Sequence, residues 1–345
     1  MVVCLKVDKS KAEAAKEFLK KNNWLDYSFI IGKGRKYLLF PIKSKAKLED
    51  LEKFGSIENR SLEKRKVVPS GSLKDLLKGV IPAEFIDKVV RSYDVIGDIA
   101  ILEVPEELEK FEKTIAWTLL RTRKNIKAVY KKEGKVKGKY RVRALKHLEG
   151  EKRTEAIHVE SGVRIKLDID KVYFSPRLGQ ERLRVANKIK KKEDVLVMFA
   201  GVGPYALVIA KKHHSVKITG VEINPTAVKY FKENVKLNKI PKGQITIVKG
   251  DCLKEVPKLR KKFDRIIMPL PESAWDFLEL AFKKVRENGT IHLYTFDDPN
   301  NFKDLGEKIK GFAKKAGKEV KKINLVVCGP FAPNVERLCL DISVK

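Results

Sequence analysis

Cysteine is scarce in this 345-residue chain: there are four, Cys4, Cys252, Cys328 and Cys339. None forms a C-x-x-C pair, and the five histidines do not cluster with them. That spacing argues against a zinc site and against a disulfide framework, and it implies a reducing compartment. Long apolar runs are missing too. The longest mostly apolar stretch is short for a membrane span and is broken by glycine and proline. The start, MVVCLKVDKSKAEAAKEFLKK, reads as a strand and then an amphipathic segment, without the apolar core and cleavage site of a signal peptide. A soluble, cytoplasmic protein without membrane contact is expected. Acidic residues also fall short: 45 Asp and Glu stand against 75 Lys and Arg, a formal net charge of +30.

A high total of charge is what thermophilic proteins carry. The imbalance needs a different reason. Thirty surplus positive charges point to a polyanionic partner whose phosphates supply affinity, with a surface biased for solubility as the plain alternative. Apolar residues make up 43% of the chain, enough for ordinary packed cores.

The chain divides by pattern. Residues 1–65 read as a small α+β domain, with a strand at Val2–Val7, a helix at Ala12–Leu19 and a strand at Tyr37–Ile42. A charged stretch from Glu58 to Lys66 runs into Pro69-Ser70-Gly71-Ser72, the composition of an exposed linker. A middle region, 70–125, opens on a short helix at Leu73–Leu77 and holds a strand, Tyr93 to Leu102, that turns at Gly97. Lys124 to Tyr140 is dense in lysine with Tyr130 and Tyr140 interleaved, which suits a nucleic-acid groove or a solvated hairpin. Residues 126–345 form the third part. Strands are expected there at 194–199, 216–222, 244–249, 263–268, 290–296, 322–328 and 336–343, and helices at 178–191, 204–213, 225–238, 272–287 and 302–316. Alternating β and α elements predict a doubly wound, mostly parallel α/β sheet. The last two strands flank Gly329-Pro330-Phe331-Ala332-Pro333-Asn334 without a helix between them, so a terminal antiparallel hairpin is expected. That combination matches a Rossmann-like class I methyltransferase architecture by analogy of fold.

The chemistry concentrates between Val195 and Pro225. An apolar strand, Val195–Phe199, enters the turn Ala200-Gly201-Val202-Gly203-Pro204, a helix follows, and the next strand ends on Glu222. Glycines let the backbone approach a ligand, and an acid at that strand end can accept from both ribose hydroxyls, so the arrangement describes a pocket for a nucleoside-bearing cofactor. Pro204 has no N–H to offer a pyrophosphate, which favours S-adenosylmethionine over a dinucleotide. Asp251, at the end of the third strand, is placed to accept from an adenine amino group, or else to cap the next helix.

Further stretches carry a resemblance. Tyr173-Phe174-Ser175-Pro176-Arg177-Leu178-Gly179-Gln180-Glu181-Arg182, the upstream Tyr140-Arg141-Val142-Arg143, Gly150-Glu151-Lys152-Arg153-Thr154 with Ile157-His158, and Phe199-Ala200-Gly201-Val202-Gly203-Pro204 occur in that family's order. The chain closely resembles the archaeal and eukaryotic tRNA (guanine-37-N1)-methyltransferase family over almost its whole length. The resemblance implies methyl transfer from S-adenosylmethionine to N1 of guanosine 37. It also implies a monomer without an obligatory protein partner, an N-terminal domain on a remote part of the tRNA, and a basic, RNA-binding middle region on the anticodon arm. N1 carries a proton near neutral pH, so a base must remove it. Glu181 matches that base, and Arg141 matches the cation that stabilises charge developing on O6. A base working near pH 7 would need its pKa raised by partial desolvation; such catalysis is worth about 10²–10⁴-fold, roughly 3–5 kcal/mol. Tyr173 and Arg182 match cofactor-pocket positions, and Phe199, Gly201, Gly203, Glu222, Ile223, Asp251, Cys252, Pro269 and Pro271 complete the candidate cofactor contacts. The mechanism needs no metal. His158 reads as a packed or hydrogen-bonded strand residue.

Two positions depart from the family pattern. Val197 stands where an acid is usual before Met-Phe-Ala-Gly, and Pro269-Leu270-Pro271 replaces Asn-Leu-Pro. A proline at that asparagine also occurs in the branch acting on tricyclic wyosine-type bases. Carbon methylation of that tricyclic intermediate, alone or in addition, is therefore the alternative within the family. A non-catalytic RNA-binding protein with a vestigial pocket is the alternative outside it.

Overall fold

The computed structural model describes residues 1–63, 71–89, 92–138 and 140–345. It forms two compact units, Met1–Ser70 and Gly71–Lys345. Of the expected linker from Glu58 to Ser72, residues 58–60 end a strand, Ser72 caps a helix, and 64–70 lie outside the described residues, as does Lys139 in the lysine-dense segment.

The first unit is a four-stranded antiparallel sheet of order β2-β3-β1-β4, with β1 at Val2–Asp8, β2 at Gly32–Lys33, β3 at Tyr37–Pro41 and β4 at Gly55–Arg60. Helix α1, Ala12–Lys21, buries Ala15 and Leu19 in one core with Leu5, Val7 and Phe40 from the sheet. The alternation of β1 and the helical spacing after it are the pattern of a one-sided sheet under an amphipathic helix.

The second unit begins with two short helices, α2 (Leu73–Leu77) and α3 (Ala83–Ile86). A sheet of order β5-β6-β7-β8 follows, from β5 (Asp94–Ile96), β6 (Ile99–Leu102), β7 (Ala128–Lys137) and β8 (Val142–Gly150). Helix α4, Glu112–Thr122, connects the parallel neighbours β6 and β7. The boundary expected at 125/126 therefore cuts through one sheet: the lysine-dense hairpin belongs with Tyr93–Leu102, because β7 hydrogen-bonds β6. A ribbon of β9 (Glu155–Glu160) and β10 (Val163–Asp168) comes next, then α5 at Gly179–Asn187.

The remaining strands build a seven-stranded sheet of order β13-β12-β11-β14-β15-β17-β16. They are β11 (Asp194–Met198), β12 (Lys217–Glu222), β13 (Ile245–Lys249), β14 (Phe263–Met268), β15 (Val285–Asp297), β16 (Val320–Ala332) and β17 (Val335–Val344). The helices are α6 (Pro204–Lys212), α7 (Pro225–Leu237), α8 (Cys252–Glu255), α9 (Leu278–Lys284) and α10 (Phe302–Lys315). β11 to β15 run parallel, and β17 is antiparallel to β15 and β16. Strand β11 shows why its run is apolar throughout. Val195 and Val197 enter the core on one face, Leu196 and Met198 the core on the other, as a strand covered on both sides requires. Val197, where an acid is usual, is 1% exposed, so its methyls fill core space. The helix expected at 272–287 is shorter: a 3₁₀ turn at Ala274–Phe277 leads into α9, and Val285 already pairs with Phe263 of β14.

Asn234 and Asn238 of α7 tie the ribbon to the sheet. Asn234 accepts from the Lys166 backbone N–H at 2.7 Å and donates to its carbonyl at 2.9 Å, and Asn238 does the same for Arg164 at 2.7 and 2.6 Å. The four-residue spacing puts both amides on one helix face, where they satisfy backbone groups on the edge of β10. Among the described residues no helix is long and apolar enough to cross a membrane.

Candidate active site

The order of the large sheet reverses between β11 and β14, with β12 on one side of the pair and β15 on the other. Ligands of open α/β sheets bind at the carboxyl ends of the strands beside such a reversal. A cavity of about 370 Å³ lies there, within the range of small-molecule sites. Of the candidate residues, Arg141, Tyr173, Phe199, Gly201, Glu222, Ile223, Asp251, Cys252, Pro269 and Pro271 line it. The sequence pattern did not single out Asn224, Gly250, Phe277 or Phe296, which line it as well. Asn224 carried a visible signal as a cap; the others come from turns and strand ends whose direction only the fold sets.

Glu222 ends β12 and is 8% exposed. Its Oε2 accepts from the Gly201 backbone N–H and its Oε1 from that of Asn224, both at 2.7 Å. The Ile223 N–H faces the same carboxylate. Burial pushes its pKa up, against the backbone donors that pull it down. Phe199 has φ 55. That is an outlier for a bulky residue, of the kind that gathers at binding sites, and it sets its ring edge-on to Phe277 at 4.7 Å. Asp251 caps α8 by accepting from the Leu253 N–H at 3.0 Å, so the capping role is present at a residue that also lines the cavity. Burial raises the Cys252 thiol to about 12, so it is a neutral wall.

Three candidates do not line the cavity. Gly203 has φ 88, and a Cβ there would come within 2.1 Å of the Phe231 ring. Its freedom serves the packing of α7 beneath the turn. Arg182 is 2% exposed and is spent on Glu160, Nε to Oε1 and Nη2 to Oε2 at 2.5 Å each, and on the Ser175 carbonyl at 3.1 Å. It is a strut between α5 and the ribbon. Replacing Arg182 with methionine should cost about 3 kcal/mol, because it leaves Glu160 buried with only the His158 ring, 3.5 Å away, beside its carboxylate. Denaturant unfolding should show that loss while calorimetry shows cofactor affinity within twofold of wild type; the reverse result would return Arg182 to the pocket.

Glu181 is the third. It is 7% exposed on the first turn of α5. Arg184 donates to it through Nε at 2.6 Å and Nη2 at 2.7 Å, and the Tyr294 hydroxyl donates at 2.5 Å. The Cys328 thiol lies against the same carboxylate. Arg184 also donates to Asp341 at 2.7 Å, and Asp341 meets His292 Nδ1 at 2.6 Å. This buried polar chain holds Asp341 well below the ordinary carboxylate range despite its burial, through its bonds to His292 and Arg184. His158 accepts from the Gly97 N–H at 3.4 Å and packs on Phe174 at 5.1 Å, as its strand position suggests.

Arg141 reaches the cavity from outside the large sheet. It sits at the tip of the β7–β8 hairpin, with φ 54 and its N–H donating to Gly138 at 3.1 Å. Its guanidinium pairs with Glu272 at 2.8 Å, just beyond Pro269-Leu270-Pro271. Tyr140 and Tyr173, 46% and 45% exposed, flank it at the mouth.

The cavity offers a buried carboxylate in Glu222, aromatic edges and faces and a second acid in Asp251, and the helix that follows the glycine turn opens on Pro204, which has no N–H. Those groups suit a nucleoside with a cationic centre and do not suit a pyrophosphate. With the reversed sheet order and the antiparallel β17, they define a Rossmann-like class I methyltransferase. Residues 156–321 match the TRM5/TYW2 methyltransferase domain, 73–154 the TYW2 N-terminal domain and 4–50 the tRNA methyltransferase 5 N-terminal domain. The chain belongs to the TRM5/TYW2 methyltransferase family. It is 37% identical to the tRNA (guanine(37)-N(1))-methyltransferase Trm5b of Pyrococcus abyssi, over 100% of both chains. It is 33% identical to the tRNA (guanine(37)-N(1))/4-demethylwyosine(37)-methyltransferase Taw22 of Nanoarchaeum equitans, over 73% of this chain and 99% of that one. The solved complex of aTrm5 with tRNALeu superposes with a TM-score of 0.74 at 35% identity, covering 99% of this chain and 100% of that one.

Proposed function

We propose that the protein methylates N1 of guanosine 37 in tRNA, using S-adenosylmethionine, as a cytoplasmic monomer. The observation that carries this reading is the meeting of Glu222 and Arg141 in one cavity: a ribose acceptor at the sheet reversal and a cation lowered onto it by a separate hairpin. S-adenosylmethionine supplies an electrophilic methyl group on a sulfonium. Glu222 would hold the ribose diol, and Asp251 would accept from the adenine amino group. The target base, drawn out of its stack, would enter between Tyr140 and Tyr173. Arg141 would then turn from Glu272 to O6, where negative charge develops as N1 loses its proton. Glu181 would take that proton, with Arg184 and Tyr294 fixing the carboxylate behind the cavity wall. Base removal, attack of N1 on the methyl carbon and loss of the thioether leave a neutral methylated base and a protonated Glu181.

The first unit would grip a remote part of the tRNA and the β5–β8 sheet the anticodon arm. Methyl transfer should occur to tRNA bearing guanosine at position 37 and fall to background with adenosine there; equal transfer to both would refute the assignment. A chain reduced to 71–345 should keep its cofactor affinity and lose affinity for tRNA. Loss of cofactor binding on truncation would refute that division of labour.

One observation favours a second reading. Pro269 lines the cavity where the family has asparagine, and it offers a carbonyl but no side-chain amide. A wall without that amide suits a larger tricyclic base, so carbon methylation of the 4-demethylwyosine-type intermediate is the second reading.

A further inference from the structure

A second cavity, of about 540 Å³, shares Arg141, Tyr173 and Phe296 with the cofactor cavity. Its far wall contains Arg143, Phe331 and Arg337. The charges in it are unevenly matched. Asp94 pairs with Lys132 at 3.0 Å and Arg177 at 2.7 Å, Glu103 lies 3.7 Å from Lys132, and Glu272 holds Arg141. Arg143 and Arg337 have no carboxylate partner among the described residues, and the Nε of each is buried without a hydrogen-bond acceptor. A buried guanidinium N–H without an acceptor is costly, and two arginines without carboxylate partners lining one cavity mark a place for an anion.

The aromatic pair beside them says which kind of anion. Phe296 of β15 and Phe331 of β16 are stacked, with centroids 3.7 Å apart and planes at 18°, and the Arg337 guanidinium lies 5.4 Å from the Phe296 centroid. The 3.7 Å face-to-face contact is the arrangement in which an aromatic side chain stacks on a nucleobase. Phe331 is 54% exposed, near the tip of the terminal hairpin, where the ladder with β17 shifts register between Val327 and Gly329 and again between Pro330 and Ala332. Bulges re-aim side chains, and these turn Phe331 onto Phe296. The pair thus has one fixed face, on a central strand, and one on an irregular hairpin end.

We propose that this second cavity takes one RNA nucleotide, its phosphate held by Arg143 and Arg337 and its base stacked on Phe296 in the place Phe331 occupies. The inference rests on RNA being the substrate, and it adds to that reading a phosphate clamp and a displaceable aromatic plug. Binding of an anticodon stem-loop RNA, titrated with salt, tests it. The R143Q/R337Q double variant should bind this RNA tenfold or more weaker, with a shallower salt dependence by about one ion, and with cofactor affinity within twofold of wild type. R143K/R337K should recover most of the salt dependence, which a merely misfolded double variant would not. Phe331→Ala should bind the RNA at least as tightly as wild type, because it removes a competitor for the Phe296 face. Unchanged RNA affinity and salt dependence in R143Q/R337Q would overturn the clamp, and a tenfold loss in Phe331→Ala would overturn the displacement. The two readings fail separately. If wild type bound the RNA but transferred no methyl group, the proposed activity would fall while loss of binding in the double variant would still support the clamp.

Discussion

Glu181→Gln should slow single-turnover methyl transfer by about 10²-fold or more while leaving cofactor affinity nearly unchanged. The substitution keeps the shape that Arg184 and Tyr294 enclose and removes the proton acceptor. It also replaces an acceptor of three hydrogen bonds with an amide whose nitrogen faces a guanidinium, so some loss of stability will accompany it. Single-turnover kinetics at saturating tRNA separate the two effects, since a structural defect lowers the active fraction and a chemical one lowers the rate constant. A rate constant equal to wild type would remove Glu181 as the base. This result matters because the carboxylate stands outside the cavity wall, held by Arg184, Tyr294 and, through Arg184, Asp341. Arg184→Lys would release one side of that hold and should lower the rate constant more than it raises KM for tRNA.

Glu222→Ala should weaken S-adenosylmethionine binding by roughly 10²-fold or more. Two charge-assisted hydrogen bonds to a diol are worth about 1.5–3 kcal/mol each, and 1.4 kcal/mol is tenfold. The same substitution strips the acceptor from the Gly201 and Asn224 N–H groups, so the glycine turn loosens with it. Glu222→Gln keeps one acceptor oxygen and should show an intermediate loss. Calorimetry is the measurement, and equal affinity in Glu222→Ala would end the ribose assignment. A pH signature follows from the burial of this group. Its pKa is raised, and the ionised form is the one that accepts from two hydroxyls. Cofactor affinity should therefore be full at high pH and begin to fall, as pH drops, above the ordinary glutamate value of about 4.3.

Much of the catalytic unit was legible because its signals are local. The run from Val195 to Phe199 is apolar at every position, which a strand with a core on each face requires, and Asn224-Pro225 announces the start of α7. Glu222, Asp251 and the glycine turn then fall at strand ends, where the sheet itself assembles them. What the sequence conceals are contacts between distant segments. Arg182 adjoins Glu181 in the motif, yet Glu160 on the ribbon claims its guanidinium. Gly203 completes a cofactor-like turn in sequence, yet the Phe231 ring explains it in space. The sheet that spans 125/126 is hidden because parallel pairing of β6 with β7 leaves no mark in composition. Phe296 and Phe331 stand 35 positions apart, and only the terminal hairpin stacks them.

The central claim is that the methyl group goes to N1 of guanosine 37. The direct test incubates the enzyme and isotopically labelled S-adenosylmethionine with unmodified tRNA and, separately, with tRNA carrying the tricyclic intermediate, then digests both to nucleosides for mass spectrometry. Labelled 1-methylguanosine from the unmodified tRNA is the expected result. Label appearing only in the tricyclic nucleoside, with none in 1-methylguanosine, would contradict it.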